Sequence, residues 1–551
     1  MITEHSEERE VVSFFIENGL FLTPELINNK EKVIILRKII NKIKNNNHNS
    51  SELHQNFKRI MQNSTSLGFT EFLELEKLEI DKNQLNKQLK TQTNNQMIFS
   101  NSYLSEAELK TEQAKHINTE MENTKAENIK KHFEYGIKIN SYQENNKKKD
   151  INDFINFFNS RYKTIEKILK KRPELNNLLS ISKILARKEK GPVAIIGIVI
   201  SKQQTKNKNL MITIEDPTGK IDVIISKNKK EVFELARDIV DDEVIAITGT
   251  NMERVVFVNE LILPDVPVTN ELKKGKKEYA IFLSDLHVGS SFFLDSEFEH
   301  FMKWLNCEIG NEKQQEMAEN TRYIFIAGDL VDGVGIYPGQ EKDLTIRDIF
   351  AQYEACAELL SRIPKDKKLI LCPGNHDAVR LAEPQPIIPK DIGAPLYKLP
   401  NMMMTTNPSV VNIQSEKEFS GFEVLMYHGY SFDYYVSNVD SIRANGGYER
   451  ADLIMKFLLQ RRHLAPAHLS SLYIPDPEQD PLIISTIPDF FISGHIHRAA
   501  IAQYRNITTI CGSCWQDTTD FQKKVGHKPE PARVPIVNLE TREAKMLKFI
   551  K

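Results

Sequence analysis

Cysteine is scarce: five residues in a chain of 551 exclude a disulfide scaffold. Long apolar runs are missing as well. No stretch approaches the roughly 18 consecutive apolar residues of a membrane span, so no membrane partner is expected. Neither sign of charge dominates, since 73 Lys+Arg stand against 75 Asp+Glu. That balance excludes a protein that holds nucleic acid by bulk charge, while leaving room for a local basic groove. The opening residues, MITEHSEERE, are acidic where a secretory signal would be basic and then apolar. What is present is 40% hydrophobic residues, enough for at least one sizeable core, in a length that suits about three to four domains. A soluble, intracellular, multidomain protein is expected.

Residues 1–65 read as a small helical module. Val11, Val12, Phe14, Phe15, Leu20 and Leu22 cluster, Pro24 stands at a first helical position, and Val33 to Ile43 carry an apolar helical face. From 66 to 150 the composition turns to Asn, Gln, Lys, Glu and Thr, which cannot bury enough surface to offset ordering entropy; a polar mobile linker is expected. Residues 151–189 return to order with an amphipathic helix. Its Phe154, Phe157, Phe158, Tyr162, Ile165, Ile168 and Leu169 recur at spacings of three and four.

The period changes over 190–268. PVAIIGIVIS, LMITIED, KIDVIIS, EVIAITGT and RVVFVNELIL read as five short strands, with a turn at Asp216-Pro217-Thr218-Gly219 and a helical insert before the fourth. Five strands with that insert resemble an oligonucleotide/oligosaccharide-binding (OB) barrel. Base-stacking aromatics are sparse there, Phe233 and Phe257 alone, so a barrel that contacts a subunit competes with one that binds single strands.

The C-terminal half repeats one arrangement: an apolar strand runs into a short polar cluster. YAIFLS leads to Asp285-Leu286-His287, YIFIA to Gly328-Asp329-Leu330-Val331-Asp332, and KLILCP to Gly374-Asn375-His376-Asp377. FEVLMY leads to His428-Gly429, and DFFIS to Gly494-His495-Ile496-His497. Ligands collect outside the carboxyl ends of strands in open sheets, so the five clusters are expected on one rim. Their oxygen and nitrogen donors suit Mn²⁺, Fe²⁺ or Zn²⁺. A pair of such ions lowers the pKa of a water, neutralises phosphate oxygens and orients an in-line attack. Any one cluster alone would be an ordinary structural feature; five in fixed order are not.

The ordered set D-x-H, G-D-x-x-D, G-N-H-D, H-G and G-H-x-H resembles the calcineurin-like metallophosphoesterase superfamily over residues 278–545. That resemblance implies a β-sandwich flanked by helices that holds two divalent ions, Mn²⁺ foremost. One ion would take Asp285, His287, Asp329 and His497; the other would take Asp329, Asn375, His428 and His495. It further implies His376 as the catalytic acid with Asp377 orienting it, and Asp332 beside the ligands rather than among them. The barrel placed before such a domain resembles the small subunits of replicative DNA polymerases. FFNSRY at 157–162, EDPTG at 215–219, YHGYSFD at 427–433, QRRHLAPAH at 460–468 and the run from Trp515 to Val537 are similar to the archaeal family D branch. The resemblance therefore implies a cytoplasmic, nucleoid-associated 3′–5′ exonuclease acting on single-stranded DNA ends, in a heterodimer with a large subunit that carries synthesis. A catalytically minor scaffold and a free-standing metallophosphatase are the alternatives.

Several residues carry two readings. Arg380 either holds a substrate phosphate or pairs with a carboxylate. Tyr430 and Phe432 either stack on a terminal base or pack in the core, and Asp433 caps a turn. Cys511 and Cys514 have zinc-ligand spacing but lack a second pair, so packing beneath the last ligands is expected. His463 and His468 are expected to be structural or phosphate-positioning.

Overall fold

In a computed structural model of the chain, residues 136–144, 148–268, 270–526 and 528–550 are described, with Phe21, Leu22, Leu36, Ser66 and Leu67 nearer the N-terminus. The chain divides into two compact units, 1–124 and 125–551. In the first, Phe21–Leu22 pairs in parallel with Ser66–Leu67, a strand contact that the helical expectation did not include, and Leu36 is helical and buried. The rest of the 1–65 module and most of the 66–150 linker lie outside the described residues.

The end of the expected linker is corrected. Lys138–Ser141 is a strand (β1). It pairs antiparallel with Ser409–Ile413, and Ile137 beside it is fully buried. Two apolar residues in a polar stretch are a weak strand signal, but the open edge of a sheet supplies hydrogen-bond partners that composition does not reveal.

Helix α1 (Ile151–Leu169) opens on a capping box made by Asp150 and Asp153. Phe157, Tyr162, Ile165 and Leu169 are buried along it, and so is Arg161; Phe154 stays 41% exposed. The short helix α2 (Ile181–Ala186) follows. Strands β2 (Gly191–Gln204), β3 (Leu210–Asp216), β4 (Gly219–Ile225), β5 (Val244–Met252) and β6 (Val255–Ile262) close into a barrel in the order β2-β3-β4-β6-β5. Alternate residues of β3 and β4 point inward, as a half-buried strand demands. Asp216 holds the turn between them by accepting from the backbone of Thr218 and Gly219, and it also receives the N–H of Ile181 at the start of α2.

Two six-stranded sheets form the C-terminal sandwich. The first joins β7 (Tyr279–Leu283), β8 (Thr321–Ala327), β9 (Lys368–Cys372), β10 (Met402–Met404), β16 (Arg533–Asn538) and β17 (Ala544–Lys548) in the order β10-β9-β8-β7-β16-β17. The second joins β1 to β11 (Ser409–Ile413), β12 (Phe422–Met426), β13 (Phe490–Ser493), β14 (Ala499–Tyr504) and β15 (Ile507–Gly512) in the order β14-β15-β13-β12-β11-β1. The runs that feed the polar clusters are apolar on both faces because both faces are covered. Ala280 and Phe282 of β7 enter the core between the sheets, whereas Ile281 and Leu283 meet the helices Asp295–Leu305 and Ile349–Ser361. Outside the second sheet, Tyr427 and Phe491 pack on helices Phe432–Asn438 and Ala451–Arg461. Helix, sheet, sheet and helix layers result.

Buried charges join α1, the barrel and the sandwich. Arg161 donates to Asp480 at 2.6 Å and to the carbonyl of Pro466 at 2.7 Å, and Asp480 is also 2.8 Å from His463 Nε2. Arg461 lies 2.9 Å from Glu243 of the barrel. FFNSRY and QRRHLAPAH therefore meet at a domain junction, where His463 is structural. Among the described residues, no helix is long and apolar enough to cross a membrane.

Candidate metal centre

Strands β7, β8, β9 and, in the second sheet, β12 and β13 end on the same rim, because β7 to β9 run parallel and β12 runs parallel to β13. Beyond each end the chain turns sharply. Asp285, His287, Asp329, His495 and His497 all have φ between 52° and 70°, a left-handed conformation that is uncommon outside glycine and costs free energy wherever it occurs. Five of the seven expected ligands thus sit in strained turns that aim their side chains across the rim.

The seven donors converge. Nε2 of His287 lies 3.0 Å from Nε2 of His497, 3.8 Å from Asp329 Oδ2 and 4.0 Å from Asp285 Oδ1. Nε2 of His497 is 3.5 Å from Asp285 Oδ1. On the other side of Asp329, His428 Nε2 is 3.3 Å from its Oδ2. Asn375 Oδ1 is 2.9 Å from both His428 Nε2 and His495 Nδ1. Asp329 therefore touches both groups. Asp285, His287, Asp329, His428 and His497 are buried, and Asn375 and His495 are half-buried.

Outer partners set which ring nitrogen faces inward. His428 Nδ1 is 2.8 Å from the carbonyl oxygen of Ala327, which can only accept, so Nδ1 carries a proton and Nε2 is the nitrogen turned inward. His287 Nδ1 lies 3.1 Å from Asp332 Oδ1, and Gln516 and Gln340 donate to the same carboxylate. His497 Nδ1 faces the Gln522 amide at 3.0 Å. His495 is turned the other way, with Nδ1 inward and Nε2 3.0 Å from Asp433 Oδ2.

Glycine here makes room for ligands rather than for ions. A Cβ at Gly374 would collide with the carboxylate and backbone nitrogen of Asp329, and one at Gly494 with the carboxylate of Asp285.

Electrostatics follow from that crowding. Burial opposes the charge of Asp329, yet the imidazoles of His428 and His376 hold its carboxyl well below the ordinary range. Burial likewise opposes the charge of His428, but Asp329 draws it up to about 10. Burial, with Asp329 nearby, pushes Asp377 up to about 7.

The remaining candidates are placed as follows. His376 donates its backbone N–H to Asp329 Oδ1 at 2.8 Å, and its Nδ1 lies 2.7 Å from the carbonyl oxygen of Asp332. Asp377 does not orient the His376 ring. It accepts the N–H groups of Gly374 and Leu330 and the Tyr353 hydroxyl, and so holds the turn that carries Asn375 and His376. Arg380 pairs with Glu144 and donates to the carbonyls of Ala382 and Pro384; the carboxylate reading holds, and the partner comes from the stretch read as linker. Phe432 is core, whereas Tyr430 is half-buried with its ring 5.7 Å from that of His495. Cys511 and Cys514 are buried beneath the last ligands, with sulfurs 3.8 and 4.0 Å from the carbonyl oxygens of Gly494 and His497.

The donor set fits two borderline divalent cations: oxygens and imidazole nitrogens, no thiolate and one shared carboxylate. Sequence reasoning missed Gln516, Gln522 and the ring contact of Asp433, a residue read there only as capping a turn.

Comparison with known proteins agrees. The calcineurin-like phosphoesterase family matches residues 280–499, and the OB-fold nucleic acid binding domain family matches 193–261. The DNA polymerase II small subunit of Methanothermobacter thermautotrophicus is 39% identical over 71% of this chain and 78% of its own. That of Archaeoglobus fulgidus is 38% identical over 70% and 75%. That of Pyrococcus furiosus is 40% identical over 72% and 63%.

Proposed function

The chain belongs to the DNA polymerase II small subunit family, and on that premise we propose that it removes nucleotides from single-stranded DNA 3′ ends by metal-dependent hydrolysis, as the proofreading partner of a large subunit that carries synthesis. The observation that carries this reading is the convergence of Asp285, His287, Asp329, Asn375, His428, His495 and His497 at one rim, with His376 beside them.

Asp285, His287, Asp329 and His497 would hold one divalent cation and Asp329, Asn375, His428 and His495 a second, with Mn²⁺ the first choice and Fe²⁺ or Zn²⁺ the others that fit. When bound, such a pair supplies Lewis acidity for attack of water on phosphorus. As the water oxygen bonds to phosphorus, the bond from phosphorus to O3′ of the penultimate nucleotide breaks. His376 gives that O3′ a proton from Nε2, its Nδ1 being engaged by Asp332. A nucleoside 5′-monophosphate departs, the shortened strand ends in a 3′-hydroxyl, and the proton that the attacking water loses passes to solvent, from which His376 recovers its own. The role of Asp329 is to keep both donor groups at a fixed separation. Supporting a nucleic-acid substrate over a small phosphate ester is the barrel, whose Phe257 is 41% exposed. Its outer face and the sandwich surface are the faces available to the large subunit.

The test is degradation of 3′-labelled and 5′-labelled single strands with Mn²⁺, by wild type and His376→Ala, with and without the large subunit. Stepwise loss from the 3′ end that disappears in the variant supports the reading. Faster hydrolysis of a small chromogenic phosphate than of DNA would overturn it, and the absence of any degradation would leave a scaffold.

A further inference from the structure

Three histidines of the centre present Nε2 inward, and each has its Nδ1 held from deep inside the protein: His287 by Asp332, His428 by the Ala327 carbonyl and His497 by Gln522. His495 is the exception in both respects. It presents Nδ1, 2.9 Å from Asn375 Oδ1, and its Nε2 meets a carboxylate whose side chain is 47% exposed, that of Asp433. An imidazole whose Nδ1 is to donate a lone pair must carry its proton on Nε2, and that proton needs an acceptor in one direction. Asp433 Oδ2, at 3.0 Å, is that acceptor.

Asp433 is well placed for this duty. It stands in the first turn of helix Phe432–Asn438. That helix is anchored by the fully buried Phe432 and Tyr435, so the carboxylate projects from a fixed backbone. Tyr448 and Tyr430 also face it: burial and then the Asp433 charge raise both hydroxyls above their ordinary range. The Tyr430 ring lies 5.7 Å from that of His495, tilted to it by 52°. His495 is thus the one ligand held from the rim by a residue that solvent reaches, and it belongs to only one of the two donor groups.

We propose that Asp433 is the positioning residue for the second cation: by accepting the Nε2 proton of His495 it fixes the tautomer and ring angle that the Asp329–Asn375–His428–His495 group needs, and it leaves the Asp285–His287–Asp329–His497 group untouched. The proposal rests on the two-cation reading above and assigns the weaker hold on metal to one site. Outer partners of metal-binding histidines are worth about 10–100-fold in affinity.

The experiment is Mn²⁺ binding to the full chain, followed by equilibrium dialysis and by the electron paramagnetic resonance of the bound ions, for wild type, Asp433→Ala and Asp433→Asn. Wild type is expected to take up two ions with an exchange-coupled spectrum. Asp433→Ala is expected to hold one with undiminished affinity and the other about 10–100-fold more weakly, so that at half-saturating Mn²⁺ the spectrum becomes that of a single ion. Asp433→Asn, whose Oδ1 still accepts from Nε2–H, is expected to keep both. Because Asp433 is nearly half exposed, truncating it opens no core. Two ions bound by Asp433→Ala with wild-type affinity would overturn the proposal, and so would equal losses in the Ala and Asn variants. A wild-type chain that takes up fewer than two ions overturns the two-cation reading itself, a result distinct from either of those.

Discussion

Nδ1 of His376 lies 2.7 Å from the backbone carbonyl oxygen of Asp332. A carbonyl accepts and never donates, so this contact keeps a proton on Nδ1 and leaves Nε2 as the nitrogen that would act in the proposed hydrolysis. Replacing His376 with Ala is expected to slow hydrolysis by about 10²–10⁴-fold, the usual worth of a positioned acid, while Mn²⁺ content stays at the wild-type level. Metal analysis beside the nuclease assay checks both halves; a parallel loss of metal would mean that His376 is a ligand.

Asp332 uses its carboxylate for a different neighbour, His287 Nδ1 at 3.1 Å. Asp332→Ala removes that carboxylate and keeps the carbonyl that holds His376. Mn²⁺ affinity should fall about 10–100-fold, and excess Mn²⁺ should restore the rate. A titration of activity against Mn²⁺ separates this variant from His376→Ala, which no amount of metal should rescue.

The buried pair of Arg161 and Asp480, side chains 1% and 0% exposed, predicts a stability effect far from the centre. Arg161→Met leaves the Asp480 carboxylate with His463 and the backbone N–H of Leu482 but without its guanidinium, in a site where removing one partner of an ion pair costs about 3–5 kcal/mol. The urea unfolding midpoint should drop accordingly. Little change would mean that the carboxylate finds water once the guanidinium has gone.

Glu383 gives a pH dependence with a definite sign. Burial raises its carboxyl from 4.5 to about 7, against hydrogen bonds from Ser471 and Tyr427 that lower it. The folded chain therefore holds this proton more tightly than the unfolded one. Its contribution is full below about pH 4.5 and is lost as pH rises through about 7, up to about 3 kcal/mol in all. In EDTA, Glu383→Gln should show a flatter stability profile between those pH values than the wild type. Equal slopes in the two proteins would show that Glu383 does not set them.

The convergence of the seven candidate donors and His376 on one rim was legible because each lies within a few residues of an apolar strand end, and local order along the chain is what a sequence displays. Their partners were not. His495 and Asp433 are 62 positions apart, His497 and Gln522 are 25 apart, and Asp332 and Gln516 are 184 apart. Such contacts are decided by how layers stack. Arg161 shows the same limit: in the helical stripe of 151–169 the aromatics drew attention, yet the arginine between them makes the buried ion pair of α1 with the sandwich. Asp377 was read as a partner of the neighbouring ring because it is adjacent in sequence, but its carboxylate turns back on its own loop.

By itself the sequence determined the kinds of layer and the chemistry of the rim. Period-two and unbroken apolar runs require strands covered on one or both faces, and oxygen and imidazole donors at their ends suit divalent cations. Only the tertiary structure decided that Lys138–Ser141 completes the second sheet, which imidazole nitrogen faces inward, and that Asp433 rather than a buried group holds His495. Those outcomes depend on directional hydrogen bonds between segments far apart in the chain, and their geometry exists only once the two sheets and their helices have packed.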